Sequence, residues 1–296
     1  MKKVSFFLVL FLFLGTAPLF ADRCIIPIKP HVQIFEPNQR AMIAWNGEEE
    51  ILLLSTDLRA SEPTQVLEVL PLPAEPQVKK GDVETFRRAT KLINSKIRIF
   101  DVYTGKAPGS HAGATARPAG EVTFHKKIGA HDISVTHVLN TQGFIAWVEK
   151  YLKNLGVQNP IIPEANKRII SEYLAEGFTW FVFDVVALNE VLSTGEAIQY
   201  RFKTKFLYYP MKVTQTVKGR TNVDLLVLSP KLLDKFTGIP VDEVQLRHDP
   251  VSITSSELRS LNPDMDTLLG HREDMKLRIW RLSGELASFK KDLIAK

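Results

Sequence analysis

Three histidines and one aspartate lie close together in the middle of the sequence: His125, His131, Asp132 and His137. Three imidazoles and a carboxylate would suit a zinc ion if they converged on one point. Neighbouring residues of a strand point to opposite faces, and the ligand spacings of known zinc motifs are missing. The stretch therefore allows a metal site, while ordinary surface or core histidines are the plainer interpretation, and no cofactor is predicted.

A second group of polar residues near the C-terminus has two interpretations. Four of its members match ligand positions of the calcium loop of EF-hands: Asn262, Asp264, Asp266 and Glu273. Thr267, however, stands where such a loop needs glycine for its sharp turn. In the alternative interpretation Asn262 caps a helix, Pro263 is its first residue, and the aspartates favour the positive end of the helix dipole. The helix start is favoured because it needs no exception.

Common catalytic motifs are missing from the sequence. It has no glycine-rich phosphate loop, no dinucleotide fingerprint and no His-Glu-x-x-His zinc helix. It also lacks the Gly-x-Ser-x-Gly turn that exposes a nucleophilic serine. These absences remove the common enzyme classes, but an enzyme whose acid and base groups come from distant positions stays possible.

Residues 1–21 have the pattern of a cleavable secretory signal peptide. Lys2 and Lys3 precede an apolar run at 4–14, and Ala21 is a small residue at the expected cleavage site. The run is shorter than the roughly 20 apolar residues that span a bilayer, and no later segment approaches that length. We therefore expect an exported protein, periplasmic or extracellular, with no transmembrane segment after cleavage.

Charge and cysteine content limit the partners that the chain could have. It carries 38 basic and 33 acidic residues. This mixed composition does not predict nucleic-acid binding, which needs basic residues clustered on one face. Cys24 is the only cysteine, so no internal disulfide can form. A lone cysteine in an exported protein suggests an intermolecular disulfide or a reactive thiol, although free cysteines are often simply buried.

The elements predicted along the mature chain form an α+β fold with largely antiparallel sheets and an inserted helix pair. Asn46-Gly47 between two apolar runs predicts a β-hairpin. A helix is predicted at 82–93, and the helix pair at 141–155 and after Pro163. The almost continuously apolar segment 178–188 predicts a central strand that is covered on both faces. Further strands are predicted at 197–202, 211–216 and 223–228.

The predicted organisation is an α+β domain at 22–230 followed by a C-terminal extension at 231–296. Within the domain, the glycine-rich and proline-rich segment 104–120 predicts a flexible loop. In the extension, spacings of four and three residues alternate along a stripe of apolar residues, which predicts an amphipathic helix. The stripe consists of Met275, Ile279, Leu282, Leu286, Phe289 and Leu293. Such a helix either docks on its own domain or pairs with a second protein.

Four stretches together resemble a bacterial family known as domain of unknown function 2330. They are Gln39-Arg-Ala-Met-Ile-Ala-Trp-Asn-Gly47, Val69-Leu-Pro-Leu-Pro73, the segment 128–180, and Tyr209-Pro-Met-Lys-Val213. The resemblance covers about 24–230 and implies an exported or cell-surface bacterial protein. It implies no activity and no functional residues. It also implies paired cysteines near the mature N-terminus, whereas this chain has only Cys24.

The function predicted from the sequence is that of a non-enzymatic envelope protein. It would bind another protein or a surface polymer. The C-terminal helix would contact another envelope protein or a second copy of the chain itself. The alternative is a hydrolase-like enzyme with a dispersed site, metal-assisted through His131 or His137. A cluster of these side chains in one cleft would favour the enzyme.

Overall fold

The computed structural model describes residues 24–29, 31–97, 122–191, 193–194, 196–216, 220–233, 236 and 244–296. The predicted signal peptide and the loop predicted at 104–120 lie outside these residues. Within them, three β-sheets dominate and the five α-helices are short. The predicted α+β layout is therefore wrong, and the fold is sheet-rich.

The strands are β1 (Cys24–Pro27), β2 (Ile34–Trp45), β3 (Glu49–Ala60), β4 (Thr64–Leu72), β5 (Gln77–Lys80), β6 (Val122–Ile128), β7 (His131–His137), β8 (Trp180–Leu188), β9 (Ser193–Thr194), β10 (Ile198–Lys203), β11 (Leu207–Tyr209), β12 (Arg220–Ser229), β13 (Val244–Leu246), β14 (Val251–Ile253), β15 (Met275–Glu285) and β16 (Leu293–Ala295). The helices are α1 (Glu84–Lys96), α2 (Thr141–Asn154), α3 (Glu164–Ala175), α4 (Ser255–Leu261) and α5 (Pro263–Leu268). Two short 3-10 helices lie at Lys212–Thr216 and Leu286–Ser288.

Two large sheets form the body of the molecule. The five-stranded sheet has the order β1-β4-β8-β7-β6 and is antiparallel throughout. The nine-stranded sheet has the order β13-β15-β12-β2-β3-β10-β5, with β14 added to β15 and β9 added to β3. Among the described strands of this sheet, only β12 and β2 pair parallel. The strand predicted at 178–188 is confirmed as β8, in the middle of the five-stranded sheet.

The two sheets stack face to face between two layers of helices. Along β3, Leu52 and Leu54 share one hydrophobic cluster with the five-stranded sheet, whereas Ile51 and Leu53 share another with α1, α4 and α5. Alternate residues of a strand point to opposite faces, so the nine-stranded sheet separates these two cores. The outer face of the five-stranded sheet is covered by α2, where Trp147 stacks on a phenylalanine of β8 at 3.9 Å between ring centroids.

Elements with strong local signals were predicted correctly. The helices predicted at 82–93, at 141–155 and after Pro163 are confirmed as α1, α2 and α3. The hairpin is also confirmed, because β2 and β3 pair antiparallel and Gly47 has a φ of 104°. Asn46 stabilises this turn, because its side-chain oxygen accepts hydrogen bonds from the backbone N–H groups of Glu48 and Glu49 at 2.9 and 2.8 Å.

The strand predicted at 211–216 is wrong, since this segment forms the 3-10 helix Lys212–Thr216. Thr214 Oγ1 donates to the Met211 carbonyl at 2.7 Å, and Thr216 Oγ1 donates to the Val213 carbonyl at 3.2 Å. Threonine hydroxyls that bond to nearby backbone carbonyls favour such a turn over an extended strand.

The predicted C-terminal amphipathic helix is also wrong, because most of its apolar residues lie on strands. β15 pairs antiparallel with β12 from Lys276 to Glu285. Met275 lies in the core beside α4 and α5, whereas Leu282 lies in the core between the sheets. A spacing of four keeps two residues on one face of a strand, but a spacing of three moves them to opposite faces. The stripe is thus divided between two cores.

The remaining members of the stripe also pack inside the molecule. Leu286 begins the second 3-10 helix, Phe289 follows it, and Leu293 begins β16. All three are buried in the larger hydrophobic core, to which both large sheets contribute. The residues proposed to contact a partner are therefore used by the chain's own fold, and the predicted partner helix does not exist.

A pair of alanine substitutions distinguishes the strand from the predicted helix. Leu277 is 0% exposed although it lies outside the heptad stripe, whereas Ile279 is only partly buried although it belongs to it. We expect Leu277→Ala to lower the free energy of unfolding by about 2 kcal/mol more than Ile279→Ala, since burial decides the cost of a truncation. Urea denaturation of both variants measures this difference. The reverse order would contradict the strand.

The C-terminus is anchored by a buried carboxylate just before β16. Asp292 accepts hydrogen bonds from Tyr173 Oη at 2.7 Å and from the backbone N–H of Lys212 at 2.8 Å. Tyr208 Oη lies 3.3 Å from its other oxygen. Burial raises the pKa of Asp292 to about 6, against the lowering effect of these hydrogen bonds. The carboxylate thus ties the last strand to α3, to β11 and to the 3-10 helix Lys212–Thr216.

Candidate metal centre

Three neighbouring strands of the five-stranded sheet bring two carboxylates and an imidazole together. Glu68 on β4 is the direct cross-strand partner of Asp184 on β8, so both side chains project from the same face. On β7, Ile133 is the partner of Asp184, and His131 lies two residues from Ile133. Residues two apart on a strand share a face, so His131 joins the two carboxylates.

This face of the sheet is turned away from α2. Phe183, the neighbour of Asp184, stacks against α2 on the outer face. Asp184 must therefore project from the inner face, toward the core that the two sheets share. The three polar side chains are almost completely buried there: Glu68 is 1% exposed, Asp184 is 2% exposed and His131 is 4% exposed.

The distances between these side chains are short enough for one ion to bind all three. One ligand atom from each residue, Glu68, His131 and Asp184, lies within 4.8 Å of the other two. His131 Nδ1 and Asp184 Oδ2 are 2.6 Å apart and form a hydrogen bond, so binding of one ion by both would require these two atoms to separate slightly. Carboxylate oxygens and an imidazole nitrogen are ligands of zinc and of other first-row divalent ions. Among the described residues this is the one group of three such side chains that could bind a metal ion.

A tight turn fixes the start of β7 and with it the position of His131. Gly129 has a φ of 57° in the turn that joins β6 to β7, a conformation that favours glycine. A Cβ atom at this position would collide with the carboxylate of Glu196, which lies directly against the turn. Glu196 in turn binds Lys80 Nζ at 2.6 Å. The turn is thus packed against a residue that lies just before β10 of the other sheet.

The electrostatics of the site favour a divalent cation. Two carboxylates at directly opposed positions repel each other, and burial increases the cost of their charges. A divalent cation balances both, leaves the imidazole neutral as a metal ligand, and removes the repulsion.

The other residues of the predicted histidine site lie elsewhere. His125 pairs with Asp132, whose cross-strand partner Val185 faces α2, so this pair lies on the outer face of the sheet. His137 stacks on Trp180 at 4.5 Å between ring centroids. Of the four predicted residues, only His131 enters the candidate metal centre.

Glu68 and Asp184 were missed by the sequence analysis although a signal was present. Each is the one charged residue inside an apolar strand, Val-Leu-Glu-Val-Leu in β4 and Phe-Val-Phe-Asp-Val-Val in β8. Charged residues are almost never fully buried unless they are paired or bind a ligand. A lone acid in each of two buried strands therefore indicates a site between them.

Of the four predicted calcium-loop residues, three lie at the cap of α5 or within it, and the fourth lies beyond it. Asn262 caps this helix by accepting hydrogen bonds from the backbone N–H groups of Asp264 and Met265, both at 3.1 Å. Asp264 binds Lys79 and Gln199, while Glu273 is exposed beyond the helix.

Asp266 is buried and surrounded by donors. Ser255 Oγ and His271 Nδ1 each lie 2.7 Å from its carboxylate, and Arg259 Nε lies at 3.0 Å. Burial alone would raise the pKa of Asp266, but these hydrogen bonds hold it below its usual value. The geometry is that of a capped helix start whose acids are paired with protein donors.

Cys24 is buried in β1 and is not presented to other molecules. Asn166 Nδ2 donates to its sulfur at 2.6 Å. Burial raises the pKa of the Cys24 thiol to about 12. Because the thiolate is the reactive form, this geometry does not favour the predicted intermolecular disulfide or reactive thiol.

The sequence of the chain matches one protein family. Residues 23–238 match the profile of a family described as an uncharacterized protein conserved in bacteria, DUF2330. The chain belongs to this family. The resemblance over 24–230 is therefore confirmed, and the DUF2330 region includes all three residues of the candidate metal centre.

No curated protein sequence is significantly similar to the chain. In the described part of this DUF2330 protein, no helix combines the length and apolar character needed to cross a bilayer.

Two solved structures illustrate distant matches to the chain. The crystal structure of baculovirus P35 has a TM-score of 0.45 and 11% identity, and the match covers 90% of this chain and 97% of that chain. The caspase-8/P35 complex contains a chain with a TM-score of 0.37 and 8% identity, covering 88% and 90% of the two chains. At these values the similarity carries no argument about the DUF2330 protein.

Proposed function

We propose that this DUF2330 protein is an exported, non-enzymatic binding protein that holds one divalent transition-metal ion between its two sheets. The observation that carries the proposal is the convergence of Glu68, His131 and Asp184, whose ligand atoms lie within 4.8 Å of one another in the core. Export rests on the signal-peptide pattern of residues 1–21.

The donor set indicates which class of ion fits. Calcium takes six to eight oxygen ligands, and magnesium usually retains several waters. The buried triad offers few oxygens and one imidazole nitrogen, which suits zinc and neighbouring first-row ions such as manganese and iron. The two carboxylates also match the double charge of such an ion.

Burial supports a structural role for the ion over a catalytic one. A catalytic zinc keeps one coordination position open to water or substrate. His131, the most exposed of the three side chains, is only 4% exposed, and the inner face of the sheet is covered by the second sheet. An ion here would cross-link β4, β8 and β7. This arrangement supports the non-enzymatic interpretation and not the hydrolase-like alternative.

Metal content tests the proposal directly. The full chain is expressed with its leader, purified from the periplasm without chelator, and analysed by native mass spectrometry and elemental analysis. We expect about one divalent ion per chain, and an intact mass that shows cleavage after Ala21. His131→Ala should reduce the metal content to a small fraction of this value. His137→Ala is the matched control, because His137 lies on the same strand but stacks on Trp180.

Two results would contradict the proposal. The first is a wild-type protein that carries no ion and whose melting temperature is the same after refolding with or without zinc, manganese or ferrous iron. The second is equal metal content in His131→Ala and His137→Ala, which would place the ion elsewhere.

A further inference from the structure

We infer that the metal ion enters the site while the chain folds, before the two sheets close, and that the folded protein takes it up only slowly. This inference rests on the proposed function and describes how the same site is loaded. It is carried by the burial of the three ligands, by their distribution over the sequence and by the contact that closes the nearest turn.

The first argument is the enclosure of the site. Its ligands project from the inner face of the five-stranded sheet, which shares a core with Leu52, Leu54 and Tyr200 of the nine-stranded sheet. These three residues are 0% exposed. Behind the ligands lies the sheet itself, covered by α2. The opposing sheet thus contributes fully buried apolar and aromatic side chains to the core that encloses the site.

The second argument is the distribution of the ligands over the chain. Asp184 and His131 are 53 residues apart, and Glu68 lies on yet another strand. The site exists only when β4, β8 and β7 have paired. In that pairing Glu68 and Asp184 face each other directly, so an ion that bridges them relieves repulsion and favours the pairing. Binding and sheet formation are therefore coupled, as expected for a structural metal site.

The third argument is the contact that closes the turn beside His131. The carboxylate of Glu196 packs directly against Gly129 and binds Lys80 of the edge strand β5. This contact connects the β6–β7 turn with the nine-stranded sheet. To admit an ion near His131, the turn must move away from Glu196. We therefore define the Gly129–Glu196–Lys80 contact as the rim contact of the site.

A refolding experiment with zinc tests the inference. The full mature chain is unfolded in guanidinium chloride with EDTA and desalted. One sample refolds with Zn²⁺ present, and another refolds without metal and receives Zn²⁺ afterwards. We expect the first to contain about one zinc per chain, and the second to take up zinc at least about tenfold more slowly, because uptake then needs local opening. Native mass spectrometry of samples taken over time gives both values.

A substitution in the rim contact tests separately whether opening of the turn limits zinc uptake. Glu196→Ala should accelerate zinc uptake by the folded, metal-free protein at least about tenfold, since it removes a contact that opening must break. Glu75→Ala, at an exposed position before β5, is the control and should leave the rate unchanged.

The possible outcomes separate the two proposals. If the folded metal-free protein binds zinc as fast and as completely as the refolding chain, the loading inference is overturned and the proposed function stands. If neither sample binds zinc, the proposed function fails. A chain that cannot fold without zinc supports the inference, because uptake and folding are then one event.

Discussion

Glu68→Gln should stabilise the metal-free protein and destabilise the metal-loaded one. Without metal, Glu68 and Asp184 are opposed carboxylates that are almost completely buried. Glutamine keeps the shape of the side chain and removes one charge, so we expect a gain of up to about 1 kcal/mol in the free energy of unfolding. With metal, glutamine is a neutral and weaker ligand, and the stabilisation by the ion is largely lost.

The loss in the presence of metal should be the larger effect. A ligand present at a thousand times its dissociation constant stabilises the folded state by about 4 kcal/mol. Most of this contribution should disappear in Glu68→Gln. The order of stability of wild type and variant therefore reverses between a chelator and an excess of zinc.

Guanidinium denaturation of protein refolded with EDTA or with zinc measures this reversal. Glu75→Gln, at an exposed position, is the control and should stay within about 0.5 kcal/mol of the wild type in both conditions. A Glu68→Gln variant that is destabilised equally with and without zinc would mean that Glu68 serves the fold and does not bind an ion.

The parts of the fold that the sequence predicted are those with a local cause. The Asn46-Gly47 turn needs a positive φ at glycine and a side chain that accepts from the following backbone, and both are visible in two residues. The helix pair is encoded in the apolar periodicity of 141–155 and in Pro163, which lies directly before α3. The turn and the helix pair can therefore be predicted from neighbouring residues, without knowledge of any segment that is distant in sequence.

The C-terminal segment shows why the remaining elements could not be predicted in this way. Its apolar residues fit a heptad, but Met275, Leu277 and Ile279 also alternate with charged residues, as in a strand. The decision between the two periods comes from β12, which offers a strand from Arg220 to Ser229 to which β15 can hydrogen-bond. That partner is distant in sequence, and local periodicity contains no information about it.

The candidate site was only partly predictable for the same reason. His131 was singled out as one of three histidines, but nothing in the stretch 125–137 distinguishes it from the other two. Its role depends on Glu68 and Asp184, which β-sheet pairing brings opposite each other. A rule that treats a lone acid in an apolar strand as a site would have found both carboxylates. Cross-strand register would still have been needed to connect them with His131.

The family region and the complete fold do not coincide. Glu68, His131 and Asp184 lie within residues 23–238, which match DUF2330. The strands β13 to β16 lie beyond this region, yet β15 lies next to β12 within the nine-stranded sheet and β16 pairs with β11. The segment after 238 therefore completes the nine-stranded sheet, and its removal should expose the edge of β12.

Asp292→Asn should remove a pH dependence of stability between about pH 4 and pH 6. The folded-state pKa of Asp292 is raised from the ordinary 3.8 to about 6, chiefly by burial. The folded protein therefore holds this proton more tightly than the unfolded chain does. The contribution is fully present below pH 4 and is lost as the pH rises through 6, and it amounts to about 3 kcal/mol.

Urea denaturation at several pH values from 4 to 8 measures this contribution as the difference between wild type and Asp292→Asn. Burial also raises the pKa of Glu50 well above its usual value, so Glu50 too makes stability fall as the pH rises. Glu50 is present in both proteins, and its effect therefore cancels in the difference between them. Asp249→Asn, at an exposed position, is the control and should follow the wild type.

A difference between wild type and Asp292→Asn that stays constant from pH 4 to pH 6 would mean that Asp292 has the same pKa in the folded and in the unfolded protein. The anchor of β16 would then depend on hydrogen-bond geometry alone, because the donors from Tyr173 and Lys212 can be satisfied by an amide oxygen as well as by a carboxylate.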